Sequence, residues 1–284
     1  MSQRSTAIRF LLSCFTLTVR AKRTCAGAQK RSDACQGRVT SFYGAELQKY
    51  TSYRGHVSSA PRGAPGDAPV KQFLFSDKGV ISISARSVHC ASRRGLAQWH
   101  VGQSDMSDLR CMSFTGKGTD ELVVAGCQPR LYRMDAEKGT ILETLTPAAP
   151  VLYTMMRRSG QYICAAAHDG SIHLLDPKTL VATQCWKPYA NPVNDMDARG
   201  DYLLTCGWAH QQYGGLGLER LVRVFDLKNL RPAAPVAFQQ GAAFVRMHPK
   251  LSSTCIVISQ SGAINSIDVQ NPDVPTMRLS LIHI

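Results

Sequence analysis

The 284-residue chain is 44% apolar and 19% charged, which suits one large or two ordinary folded domains and excludes a disordered chain. Its net charge of +13 is uneven. Residues 1–36 carry Arg4, Arg9, Arg20, Lys22, Arg23, Lys30 and Arg31 against Asp33 alone, nearly half of the excess, so the remainder is only mildly basic and the total does not itself argue for nucleic-acid binding. The ten cysteines contain no C-x-x-C pair, which argues against a zinc site. Cys164, Cys206 and Cys255 fall in short apolar runs, so reduced core cysteines of an intracellular protein are expected. No apolar run is long enough to span a bilayer, and no membrane partner is expected.

In chain order, the first apolar run is Phe10 to Val19, "FLLSCFTLTV", which reads as a signal-peptide core or part of a mitochondrial presequence. Arg20, Lys22 and Arg23 directly after it disfavour secretory cleavage. From Gly37 onward the chain becomes a series of short strand-like runs. "GRVTSFYGAELQKYTSYRGH" fits the end of one unit, with Gly55-His56 placed as if to lead into the next, and "VISISARSVHCASRRGLAQWH" fits the unit after that. The clearest unit follows: "VLYTMMRRSGQ", Tyr162 to Ala166, Ile172 to Leu175 and Leu180 to Trp186 read as four strands, with a turn at His168 to Ser171. Four short antiparallel strands with regular turns make one propeller blade. The pattern of strand, turn, strand and acid recurs at Glu121 to Leu145, Tyr202 to Leu230 and Thr254 to Gln270. The closing acids Asp135, Asp176, Asp226 and Asp268 are separated by about 41, 50 and 42 residues, the period of a WD repeat with one insertion. A half blade at Gly37 to Arg54, four complete blades and a final blade with little or nothing of its fourth strand are predicted.

The stretches "QFLFSDKGVISISARSVHCASRRGLAQWH", "DLRCMSFTGKGTDELVVAGCQ", "HDGSIHLLDP", "NDMDARGDYLLTCGW", "LVRVFDLKNLRP" and "GAAFVRMHPKLSS", with the opening "GRVTSFYGAELQKYTSYRGH", carry a resemblance. In order, from Gly37 to Met277, they resemble the N-terminal propeller of catalytic subunits of the Pan-type poly(A)-specific ribonuclease family, the cytoplasmic deadenylases. The fold that this implies is an all-β WD-repeat propeller, incomplete, with about five to six of the seven blades of the family. In the family the propeller precedes a linker, an inactive ubiquitin-hydrolase-like domain and a two-metal exonuclease domain. The linker binds a pseudokinase adaptor subunit, which engages poly(A)-binding protein.

The resemblance thus implies a non-catalytic scaffold in mRNA poly(A) tail shortening, cytoplasmic and found in processing bodies. It implies the pseudokinase adaptor as partner and poly(A)-binding protein and poly(A) mRNA as indirect partners. No cofactor is expected in this chain, divalent metal being expected only in the nuclease domain, which is absent from it. The alternative kept open is an unrelated WD-repeat adaptor, such as a ubiquitin-ligase substrate receptor.

Residues 1–36 do not resemble the family and are expected to be non-native coding sequence or disordered. Residues 37–278 are the expected partial propeller. The last six residues, "LSLIHI" (Leu279 to Ile284), are encoded by CTG TCT CTT ATA CAC ATC, a transposase-end adapter string, and are expected to be translated adapter.

The residues offer little catalytic chemistry of their own. Asp195-Met196-Asp197 has the spacing of a metal-binding carboxylate pair, but it lies in a strand where alternate residues share a face, and satisfied strand acids are the preferred reading. Gly214-Gly215-Leu216-Gly217 lacks the Lys-Ser/Thr of a phosphate cradle and reads as a flexible loop. A hydrolase or lyase with a central-channel site would need polar groups from several first strands, and "VLYTMM" and "AAFVRM" offer few.

Binding is therefore expected on the turns. The turns between second and third strands should carry Arg86, Arg130 and the insertion with Trp208, His210 and Tyr213, where exposed aromatic residues are candidate contacts. The opposite turns should carry a basic set that includes Arg93, Arg94, Arg157, Arg158 and Lys250, suited to phosphate or an acidic partner.

Overall fold

The computed structural model describes residues 37–42, 49–56, 70–92, 94–116, 118–147, 150–210, 214–272 and 277–280. Every regular element among them is a β-strand. Strands β1 (Gly37–Phe42) and β2 (Lys49–His56) form a two-stranded antiparallel sheet. Four-stranded sheets follow in sequence order: β3 (Gln72–Phe75), β4 (Val80–Ile83), β5 (Val88–Ala91) and β6 (Ala97–Val101), then β7 (Leu109–Phe114), β8 (Glu121–Gly126), β9 (Leu131–Asp135) and β10 (Ile141–Leu145). The next comprises β11 (Tyr153–Ser159), β12 (Tyr162–Ala167), β13 (Ile172–Leu175) and β14 (Ala182–Trp186).

The fifth sheet carries the insertion. Between β15 (Asp195–Arg199), β16 (Tyr202–Cys206) and β19 (Leu221–Asp226) stands a separate hairpin, β17 (Trp208–His210) with β18 (Leu216–Leu218). The short strands β20 (Arg231–Pro232) and β21 (Val236–Ala237) both pair with β19. The last sheet is β22 (Phe244–Met247), β23 (Thr254–Ile258), β24 (Ala263–Asp268) and β25 (Met277–Ser280).

The chain divides into two compact units, Met1–Arg110 with Met134–Leu142, and Cys111–Arg133 with Glu143–Ile284. In the first unit, Trp99 donates its indole N–H to the Ala136 carbonyl at 3.1 Å, and Lys78 pairs with Glu137 at 2.8 Å. In the second, among the described residues, three apolar cores lie between successive sheets, and the strands divide their residues between them. Ile163, Ala165 and Ala167 of β12 enter one core while Cys164 and Ala166 enter the next. Leu203 of β16 likewise enters one core, and Leu204 and Cys206 enter another. A strand covered on both faces has no solvent side, which is why these segments read as continuous apolar runs. Burial pushes the thiols of Cys164, Cys206 and Cys255 up to about 12. They act as small core hydrophobes.

Four expectations need correction. The fourth strand of the last sheet is present: Met277, Arg278, Leu279 and Ser280 pair with Ser266, Asn265, Ile264 and Ala263, because β24 otherwise presents an unpaired row of backbone groups. Two residues of the "LSLIHI" string thus belong to a strand, and the other four lie outside the described residues. Gly55 and His56 are the last residues of strand β2 itself, and residues 57–69 after them lie outside the described residues. Arg157 and Arg158 are not turn residues; they pair with Cys164 and Ile163 inside the β11–β12 ladder. The Gly214 to Gly217 segment is not all loop. Gly214 and Gly215, with φ of +82° and +96°, turn the chain between β17 and β18, as glycine does without strain. The readings of residues 1–36 fall outside the described residues.

Candidate binding surfaces

The recurrent acids organise the turns that follow β9, β13, β19 and β24. Asp135 Oδ1 accepts the backbone N–H groups of Glu137 and Lys138 at 2.8 and 2.9 Å. Asp176 does the same for Lys178 and Thr179 at 2.7 and 3.1 Å, and Asp226 for Lys228 and Asn229 at 2.9 and 3.1 Å. Asp268 accepts from Gln270 at 3.0 Å. A short carboxylate that folds back onto amides two and three residues ahead fixes a turn locally, so the acid recurs wherever the turn does. Amide donation from Lys138 holds Asp135 below the usual carboxylate range, and Thr179 does so for Asp176. For Asp226 the chief cause is the Asn229 side chain.

Asp195 and Asp197 are satisfied strand acids. Asp195 Oδ2 accepts the Val245 N–H at 3.1 Å and pairs with Arg246, while Asp197 Oδ2 accepts the Met247 N–H at 2.8 Å. Both carboxylates therefore face the first strand of the next sheet, β22, and use its backbone donors. Arg157 Nε lies 3.9 Å from Asp197 Oδ1. Burial raises the Asp197 carboxyl above its usual range, and the Met247 amide and the two arginines oppose that shift. Among the described residues, no group of three or more His, Cys, Asp and Glu side chains is placed to hold a metal ion. No helix of the described residues is long and apolar enough to cross a membrane.

The turn residues predicted to bind are dispersed. Arg86 is exposed between β4 and β5, Arg130 is exposed between β8 and β9, Arg94 between β5 and β6, and Lys250 between β22 and β23. Arg93 and Tyr213 lie outside the described residues. Trp208 is half-buried in β17, paired with Leu218, and borders a depression of about 320 Å³ with Arg220 and Gln260; His210 is exposed at the end of the same strand.

One surface gathers charge. A cleft of about 1000 Å³ in the second unit is lined by Arg133, Arg158, Lys178 and Lys228, with Gly160 and Gly200 among its walls. Its turns are those between first and second strands and between third and fourth strands, and of the predicted basic set named above only Arg158 lines it. Arg157 and Arg158, adjacent in β11, go to opposite faces: Arg157 approaches Asp197, and Arg158 enters the cleft. Arg133, in the middle of β9, was not among the expected residues. Its Nη2 donates to the Lys178 carbonyl and its Nη1 lies 3.4 Å from Glu143 Oε2. The alternation Leu131, Arg133, Asp135 places it on one face of the strand, a signal visible in the sequence only once the strand is fixed.

Comparison with known proteins agrees with the fold. The Neurospora crassa Pan2 WD40 domain superposes with a TM-score of 0.76 at 39% identity, covering 85% of this chain and 72% of that one. U3-55K, at a TM-score of 0.60 and 15% identity over 76% of this chain and 65% of its own, shares the fold. The PAN2-PAN3 deadenylation complex catalytic subunit of Phaeosphaeria nodorum is 51% identical over 243 residues, 86% of this chain and 21% of the relative. The corresponding subunit of Emericella nidulans is 46% identical over 246 residues, 87% of this chain and 20% of the relative. The chain thus spans about a fifth of the length of these curated relatives. The family model described as PAN2 N-terminal matches residues 31–275. By its blades, its motifs and this match, the chain belongs to the PAN2 N-terminal family, with the WD-repeat propeller fold that its sequence resembles.

Proposed function

We propose that this chain is the propeller scaffold of a deadenylation-complex catalytic subunit and performs no chemistry itself. The observation that carries this reading is the match over residues 31–275 to a family whose named relatives are catalytic subunits of which the matched region makes up about a fifth. The internal evidence points the same way. The carboxylate pair Asp195 and Asp197, spaced as metal ligands would be, is spent on backbone amides and arginines between two strands. In this reading the nuclease, with its divalent metal, belongs to a part of the subunit outside this chain, and the propeller needs no cofactor. Its partner is the adaptor subunit that the relatives' name gives as PAN3, and poly(A)-binding protein and poly(A) mRNA are reached through the assembled complex in the cytoplasm, including processing bodies. The propeller contributes to poly(A) tail shortening by docking the ribonucleoprotein.

The test is incubation of the purified chain with labelled poly(A) and Mg²⁺. Tail length is expected to stay constant, and processive loss of adenosines from a homogeneous sample would overturn the reading.

A further inference from the structure

We propose that the cleft lined by Arg133, Arg158, Lys178 and Lys228 binds a phosphoryl group carried on an extended peptide. The central group is Arg158. It is half-buried, yet its guanidinium donates no hydrogen bond to a described residue and meets no carboxylate among them within ion-pair distance; its Nη1 is buried without a partner. An arginine cannot shed its proton to escape such a site, so it remains a charge short of acceptors. Burial accordingly disfavours its charged form. Lys178 and Lys228, both exposed, likewise pair with no carboxylate among the described residues, which leaves three unpaired cations around one cavity.

The cleft's own acids meet this demand only in part. Asp176 Oδ1 is held by the amides of Lys178 and Thr179, and its charge acts on Arg158 and Lys178 without an ion-pair contact to either, while Glu121 Oε2 lies 3.4 Å from Thr115 Oγ1 as its acceptor. Asp201 is exposed, and it is the one lining carboxylate with no such engagement. The net positive charge is therefore small and concentrated. That favours one multivalent oxyanion, whose oxygens can accept from a guanidinium and ammonium groups together, over a long polyanion.

The walls are pre-set. Arg133 fixes the Lys178 carbonyl, and Ser159 Oγ donates to the Gly200 carbonyl at 2.8 Å, tying two turns together. A side-chain carbon at Gly200 would meet no atom within 4 Å, so nothing obstructs that side of the mouth. The lining holds one aromatic residue, Tyr162, too little for a platform on which successive bases stack, which disfavours single-stranded RNA. Thr183 lies on β14, the terminal strand of its sheet, and a peptide can lie along such a strand. This inference concerns the cleft alone and does not rest on the proposed role in deadenylation.

The experiment uses the full chain and four probes: inorganic phosphate, an alanine-rich phosphoserine octapeptide, its unphosphorylated form and a 20-nucleotide RNA. Titration is followed by fluorescence anisotropy for the labelled probes and by backbone amide NMR shifts for phosphate. Expected are phosphate-induced shifts at Gly160, Lys178, Gly200 and Lys228, and phosphopeptide binding at least tenfold tighter than that of the unphosphorylated peptide. Arg158→Gln should lower phosphopeptide affinity at least tenfold, whereas Lys71→Gln, exposed and outside the cleft, should leave it unchanged. If Arg158→Gln does not fold, Lys178→Gln with Lys228→Gln replaces it, with the same tenfold loss expected. Equal binding of the two peptides, or phosphopeptide affinity indifferent to these substitutions, would overturn the proposal. Tighter binding of RNA with the same Arg158 dependence would overturn the peptide source.

Discussion

Single side chains in this protein set both its turns and its response to acid. His89, His173 and His248 are each held below the ordinary imidazole value of 6.5, chiefly by burial. Neutral His248 also accepts the N–H groups of Lys250 and Leu251 at Nδ1, at 3.1 and 3.0 Å, which its protonated form could not do. The folded chain thus binds fewer protons than the unfolded chain as pH falls below about 6.5, and stability declines there. The depressed carboxyls of Asp135, Asp176 and Asp226 add a second decline below their ordinary 3.8. Asp197, raised by burial, acts in the opposite direction as its carboxylate becomes protonated. Urea unfolding at pH 7.5, 6.0 and 5.0 should show a falling midpoint at constant slope; a midpoint that rises as pH falls would contradict this.

Gly170 gives a sharper case, because its φ is +83° and an added carbon would lie 2.4 Å from the carbonyl oxygens of both Tyr189 and Asn191. Gly170→Ala should cost at least ~2 kcal/mol in equilibrium unfolding. The Asp-amide turns were legible in the sequence because their geometry is local. Arg158 was legible as a basic residue and not as a cleft residue, since β11 runs on through both arginines to Ser159 and strand alternation then sends them to opposite faces.

At the scale of elements, the organising fact is that strands of the second unit serve two cores at once. Leu204→Ala removes a fully buried side chain from one of them and should cost ~2–5 kcal/mol, depending on how far the site collapses. The join between β15 and β22 is polar: Asp195, 5% exposed, takes a backbone amide and Arg246 from the neighbouring strand. Arg246→Ala leaves that carboxylate without its cation. Because the arginine side chain is 39% exposed, the cost should be about 2–3 kcal/mol, below the ~3–5 of a fully buried pair. Asp195→Asn combined with Arg246→Met should recover part of it, measured as a double-mutant cycle; strict additivity would deny the coupling. The strand pattern was readable from residues 72 to 268 because apolar runs and turn residues alternate at short range. The partners of Asp195 and Asp197 were not, since they stand some fifty residues away and depend on which sheets become neighbours. The β17–β18 hairpin was hidden for another reason: its glycines signal flexibility and a tight turn equally well.

For the molecule as a whole, the propeller is proposed as a docking scaffold within a subunit whose catalysis lies elsewhere. The family was legible because the resemblance runs in order through blade after blade, from "GRVTSFYG" to "GAAFVRMHP". What the propeller docks was not, because binding surfaces are built from turns that converge only when sheets stack, as the cleft around Arg158 illustrates. The most direct measurement compares the full-length subunit, in its complex, with the same complex lacking residues 37–278, on naked poly(A) and on poly(A) coated with its binding protein. Shortening of naked poly(A) should proceed at an unchanged rate, while shortening of the coated substrate should fall severalfold. Loss of activity on naked poly(A), or an undiminished rate on the coated substrate, would contradict the scaffold role.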